Sequence, residues 1–76
     1  MNTQAQHRTQ GDPTKVIVGD TVGTVTAHHE ILPAEVIGVR DGGTIDIKFV
    51  YLGEPMKITA SPYDGTATQP DSWHLT

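Results

Sequence analysis

The chain predicts an all-β fold: a small SH3-like, partly open barrel or a compact β-sandwich of about five short antiparallel strands, preceded by a flexible N-terminal arm. Three observations carry this. β-Branched and aromatic residues gather in short runs, the clearest of which alternates with a period of two. Clusters of Gly, Pro and Asp interrupt those runs at the short intervals that turns require. No stretch joins a 3.6-residue period to the length and low β-branching of a helix.

Residues 1–14, MNTQAQHRTQGDPT, hold one Met and one Ala as their only apolar side chains, too little burial to offset the entropy of ordering them. They read as a polar arm, either a disordered tail or a segment that orders on a neighbouring subunit, and residues 15–76 as the barrel domain. From Lys15, KVIVGDTVGTVTAHH is rich in Val and Thr and is broken by Gly19-Asp20, which suits one or two short strands around a turn. HHEILP reads as a loop, because Pro33 biases Leu32 away from helix and ends what precedes it.

Between Thr44 and Tyr51 the alternation is strict. Ile45, Ile47, Phe49 and Tyr51 share one face and Asp46 and Lys48 the other, the pattern of a half-buried strand. Asp41-Gly42-Gly43 ahead of it supplies positive-φ positions, with Gly42 and Gly43 as the turn of a hairpin that folds Ala34–Arg40 back antiparallel. Two registers fit. One sets Val36 against Ile47 and Glu35 against Lys48; the other sets Val39 against Ile45 and Ile37 against Ile47, and a bulge near Val36-Ile37 would reconcile them.

Met56, Ile58 and Ala60 then alternate with Lys57 and Thr59 between Pro55 and Pro62, another strand, and SPYDG is a turn. SWHLT is a last strand that brings Trp73 into a thin core made with Ile45, Ile47, Phe49 and Ile58. His74, beside it, is expected to matter little to stability.

With no Cys, the chain excludes disulfides, thiolate metal sites and Cys nucleophiles. No apolar run approaches the roughly 20 residues of a membrane span, and the first residues lack a signal-type apolar segment, so no membrane role and no signal-peptide secretion are expected. The net charge is −4 and unevenly placed. Residues 1–15 carry Arg8 and Lys15 against Asp12, a net of +1, and residues 16–76 carry three bases against eight acids, a net of −5. An acidic body repels phosphate backbones and disfavours nucleic-acid partners.

Three sets of side chains invite chemistry. His28, His29 and Glu30, with His74 as a fourth, have the types of metal ligands, but adjacent strand side chains point to opposite faces and zinc ligands are usually spaced in pairs. Asp71, Ser72 and His74 have the types of a hydrolase triad, yet three members within four residues of one strand cannot easily converge beside a cleft. Phe49, Tyr51, Tyr63 and Trp73 could form an aromatic cage for a cation, against the simpler expectation that they are core. No catalytic, cofactor-binding or metal residue is assigned, and no cofactor or small-molecule substrate is expected.

The stretch PAEVIGVRDGGTIDIKFVYLGEP, then ITASPYDG and PDSWHLT, resembles a group of small, uncharacterised phage- and prophage-encoded proteins. Their chains read Pro-Ala-x-Val, a turn, an alternating strand ending in Phe, a Val-x-Tyr-like strand and a final Gly-Thr-Trp-His-Trp-Pro. The resemblance covers residues 33–76 through Pro33-Ala34, Val36, Ile47, Phe49, Tyr63-Asp64 and Trp73-His74. It departs at Asp71-Ser72, in place of Gly-Thr, and at Leu75-Thr76, in place of the second Trp-Pro. What it implies is a β-rich fold and a viral setting, in the virion or the cytoplasm of an infected bacterial host; it brings no catalytic residue.

The expectation is therefore a non-enzymatic structural or accessory protein acting through protein–protein assembly, such as a virion head-decoration or connector subunit. Its partners would be virion proteins, further copies of itself or a host protein. One alternative is a small effector that inhibits a host protein, its acids Glu30, Asp41, Asp46, Glu54, Asp64 and Asp71 gathered on one face. Another is a Tudor-like binding module, with Tyr51, Tyr63 or Trp73 exposed around a shared hollow.

Overall fold

In the computed structural model, which describes residues 12–76, the alternating run becomes the third strand of a five-stranded antiparallel sheet. The strands are β1 (Thr21–Val25), β2 (Ile31–Val39), β3 (Ile45–Tyr51), β4 (Glu54–Ser61) and β5 (Trp73–His74), in spatial order β4-β3-β2-β1-β5. The sheet curls into an SH3-like, partly open barrel. Beyond β4 the chain returns to β5, where the Trp73 backbone N–H donates to the Pro62 carbonyl at 2.9 Å and the Asp64 N–H donates to the Trp73 carbonyl at 2.8 Å.

Of the predicted arm, residues 1–11 lie outside the described residues. Asp12 caps a 3₁₀ turn, Pro13–Lys15, by accepting from the Thr14 N–H at 3.0 Å. Val16 follows it into the core. Of the one or two strands allowed between Lys15 and Thr26, only β1 forms. Ile17 to Asp20 is a tight turn instead: Asp20 N–H donates to the Ile17 carbonyl, the Asp20 carboxylate accepts from Ile17 N–H at 3.0 Å, and Gly19 takes φ +98°.

HHEILP is only in part a loop, because β2 already begins at Ile31. Pro33 sits inside that strand, opposite Gly23 of β1. Pairing with β3 starts at Glu35, so Pro33 lies where β2 has a neighbour on one side only and a missing N–H leaves no ladder bond unmade.

Both hairpin registers occur in the one hairpin. Next to the turn, Val39 faces Ile45 and Gly38 faces Asp46; beyond a bulge at Ile37, Val36 faces Ile47 and Glu35 faces Lys48. The bulge lets two adjacent apolar residues stay in one strand while Val36 keeps its inward position. Asp41–Gly43 is a 3₁₀ turn with φ of +84° at Gly42 and +88° at Gly43, as the glycines there predict.

A second irregularity corrects the expected alternation of β4. Ile58 faces Ile47 but Ser61 faces Ile45, so Thr59 and Ala60 together span the place opposite Asp46. Ala60 adopts φ +56° and points outward, and Ser61 takes the buried position. Its hydroxyl donates to the Asp71 carbonyl at 2.7 Å, which satisfies a polar group that would otherwise be costly to bury.

The core is small and contiguous. Val16, Val22, Ala34, Val36, Ile45, Ile47 and Trp73 are buried together, and Phe49, Ile58 and Leu75 pack against them half-exposed. All five residues expected in the core are among these ten.

Candidate functional site

The barrel separates the three candidate constellations. Thr26, at the end of β1, organises the turn that carries the two histidines: its hydroxyl oxygen accepts from the backbone N–H groups of His28 and Glu30, and its own N–H donates to the Glu30 carbonyl. His28, His29 and Glu30 are exposed on that turn, with His29 at φ +63°. His74 belongs to β5 and is buried. Among the described residues, no group of three or more His, Asp or Glu side chains is placed to hold a metal ion.

The triad types do not converge either. The Ser72 hydroxyl donates to the Gln69 carbonyl at 2.6 Å, inside a turn, and Asp71 is exposed at φ +68°. The His74 imidazole occupies the space in front of Gly23, its strand partner, and its Nδ1 is buried without a hydrogen-bond partner among the described residues. That burial corrects the expectation that His74 is incidental: a residue without a side chain, 51 positions earlier, makes room for the ring.

The expected aromatic set splits in two. Trp73 is 0% exposed, donates its indole N–H to the Gly43 carbonyl at 3.2 Å, and meets the Tyr63 ring edge-on with centroids 4.9 Å apart. Trp73 is thus core, while Tyr63, 43% exposed, packs on it from the surface. Phe49 and Tyr51, at the far end of β3, are half-exposed and line an open hollow together with His28, Met56 and Asp71.

The six acids do not all gather in one patch. Asp41 is in the β2–β3 turn and Glu54 opens β4 at the opposite end of β3, seven residues away by the strand and on the order of 20 Å. Asp46 is engaged by the Arg40 guanidinium at 2.8 and 3.3 Å and by the Ala60 N–H at 2.8 Å, which hold its carboxyl below the usual range. This arrangement weighs against an acidic decoy surface.

Among the described residues, Asp64 holds a dense set of hydrogen bonds at the surface. Its two oxygens accept from the backbone N–H groups of Thr66, Thr68 and Gln69 and from the hydroxyls of Thr66 and Thr68. Those donors, first among them the Thr66 hydroxyl, hold the carboxyl far below its ordinary value. Because the folded state favours the ionised form, this contribution to stability is present above the unfolded value of about 3.9 and lost as pH falls through the depressed one. Asp64→Asn, which cannot accept at both positions, is therefore expected to be less stable than the parent at neutral pH. The difference should shrink as pH falls below about 4, and a difference in thermal midpoint that is constant down to about pH 2 would refute the role of the charge.

One residue of interest carried no sequence signal recognised as functional. Tyr51 pairs with Glu54, so Leu52 and Gly53 make a two-residue hairpin loop, and both have positive φ, +52° and +81°. That is the type I′ pattern, which Asn-Gly, Asp-Gly and Gly-Gly favour. Leu52 is 85% exposed there. Neither backbone preference nor burial explains a leucine at this position. Comparison of the chain with protein-family models, with curated proteins and with solved structures finds no match, so the functional conclusion rests on this geometry and on the resemblance given above.

Proposed function

We propose that the protein is a non-enzymatic assembly subunit that docks on another protein through the tip and outer face of its β3–β4 hairpin. The observation that carries this is Leu52, a large apolar side chain held in the left-handed region at a fully projecting turn. For a branched side chain that conformation costs about 1–2 kcal/mol, and exposure returns nothing for it in the isolated domain. Burial against a partner does.

The surroundings continue the surface. Val50, 66% exposed, pairs with Pro55 on the outward side of the hairpin, and Ile31 and Pro33 stand outward on the neighbouring β2. Docking by edge pairing is less suited to this barrel. Of the two edge strands among the described residues, β5 is engaged by Pro62 and Asp64, and β4 carries Pro55, Lys57 and the Ala60 bulge, three devices that blunt strand addition. The phage resemblance supports a virion as the setting, with a structural or connector role and a neighbouring subunit as partner.

Leu52→Asn tests the reading, because it creates the preferred turn and removes the apolar tip. It should stabilise the domain by about 1 kcal/mol, a rise of roughly 4–8 °C in Tm for a domain of this size, while association falls at least about tenfold. Sedimentation velocity across a concentration series and co-sedimentation with particles of the encoding phage measure the second quantity. A parent protein that stays monomeric and does not travel with particles, or a Leu52→Asn variant that associates as the parent does, would overturn the proposal.

A further inference from the structure

The hollow beside Tyr51 has a composition of its own. It opens at the end of the barrel where β3 turns into β4, holds about 160 Å³, and is lined by Thr26, His28, Phe49, Tyr51, Met56 and Asp71 among others. Strand register explains the convergence. Phe49 faces Met56 and Tyr51 faces Glu54 across the β3–β4 pair, so these four side chains start from one face of the hairpin. The β1–β2 turn closes a second side, and the Glu30 carboxylate of that turn, close to the Tyr51 hydroxyl, holds Tyr51 above its ordinary value. Asp71 stands at a third side, fixed by its N–H donating to the Val25 carbonyl at 2.8 Å.

The lining thus includes two aromatic residues, a methionine and one carboxylate, Asp71, while Glu30 and Glu54 both neighbour Tyr51. Among the described residues, no lysine or arginine lines the hollow. Lys48 and Lys57 face each other on the opposite side of the hairpin, and Arg40 is held by Asp46 at the other end of β3. The local field therefore favours a cation.

We propose that this hollow binds a methylated ammonium group. A primary ammonium or a guanidinium leaves water only for several directed acceptors, and one carboxylate in the lining is too few. A methylated ammonium has its charge spread over methyl groups and is satisfied by ring faces, a polarisable sulfur and a nearby negative charge. The volume lies below the roughly 300–1,000 Å³ of a site for a whole small molecule, so the hollow takes a head group and leaves the rest of the ligand outside. Two sources present the same head: an N-methylated lysine of a partner protein, and a choline-type small molecule. The site does not use Leu52, and it stands or falls apart from the assembly proposal.

The test is a chemical-shift titration of the full chain with choline, with a peptide carrying trimethyl-lysine, and with 3,3-dimethylbutan-1-ol, the neutral carbon analogue of choline. The two cations should give saturable shifts centred on the His28, Tyr51 and Met56 amides, with the neutral analogue at least about tenfold weaker. Tyr51→Leu should weaken cation binding about fivefold or more. Asp71→Asn, which keeps a side chain tolerant of the left-handed conformation at φ +68°, should weaken it about threefold with the fold intact. Leu52→Asn should leave it unchanged. Tighter binding of the peptide identifies a partner protein as the source, and tighter binding of choline identifies a small molecule. Equal binding of the neutral analogue, no saturable shift by either cation up to about 50 mM, or unchanged affinity in Asp71→Asn would overturn the proposal.

Discussion

Trp73→Ala is expected to cost about 3–5 kcal/mol and to leave no cooperative unfolding transition. The side chain is wholly buried among Val22, Val36, Ile45 and Ile47, in a cluster with few other large members. Three separate attachments end with it: the core contact, the indole N–H bond to Gly43 in the β2–β3 turn, and the edge-on contact with Tyr63 after β4. β5 is only two residues long, and Trp73 is one of its two rungs on β1. A domain of this size is stable by about 3–9 kcal/mol in total, so the loss is of the same order as the whole. Urea unfolding followed by circular dichroism is the appropriate measurement, since the substitution removes the only tryptophan. Trp73→Phe, which keeps a ring and loses the donor, should fall between the two proteins. A Trp73→Ala protein with an unchanged, cooperative midpoint would show that the barrel closes without its plug.

Gly23→Ala is expected to cost about 1–3 kcal/mol although it adds a single methyl group. A Cβ at position 23 would lie 2.2 Å from the His74 Nε2 and 2.7 and 2.8 Å from two neighbouring ring carbons, and the ring is itself buried. It must swing away, and the β1–β5 rung that carries it goes with it. His74→Ala alone should cost about 1 kcal/mol or more, through lost packing. In the double variant the methyl group enters the space the ring has left, so the combined loss should be smaller than the two single losses together by about 1 kcal/mol or more. Denaturant midpoints of the four proteins give the coupling, and simple additivity would mean that the ring and the Gly23 backbone do not compete for space.

Much of this architecture is legible in the chain, and each failure has an identifiable physical origin. Strict alternation located β3, and the Asp-Gly-Gly turn with two incompatible registers pointed to the bulge that β2 contains. Ile17 and Val18 look like strand and form a turn, because one carboxylate three residues on caps the Ile17 N–H. Pro33 looks like a terminator and lies within a strand, because its missing donor faces no neighbour. Ala60 and Ser61 exchange faces, because Asp46 accepts the Ala60 N–H and fixes a bulge that no local pattern announces. The candidate site was half visible. Tyr51 and Phe49 stood out as aromatic, but their companions Met56, His28 and Asp71 come from three other segments, and only tertiary structure selects them over Tyr63 and Trp73. Leu52 was invisible, because Leu-Gly is not a recognised hairpin signal and its two positive φ angles are known only once Tyr51 is seen to pair with Glu54.

The Asp64 clamp bears on the order in which the barrel is made. Every donor to that carboxylate lies within five residues of it, so the loop between β4 and β5 can take shape without the rest of the molecule. Docking β5 onto β1 is a contact across about 50 residues and needs the intervening chain to be confined first. A pre-shaped loop shortens the flexible stretch that must close, which lowers the entropic part of the folding barrier. Interactions already made at the barrier speed folding and leave unfolding almost untouched. Asp64→Asn is thus expected to slow refolding and Trp73→Ala chiefly to speed unfolding, a division that stopped-flow rates of the two variants measure.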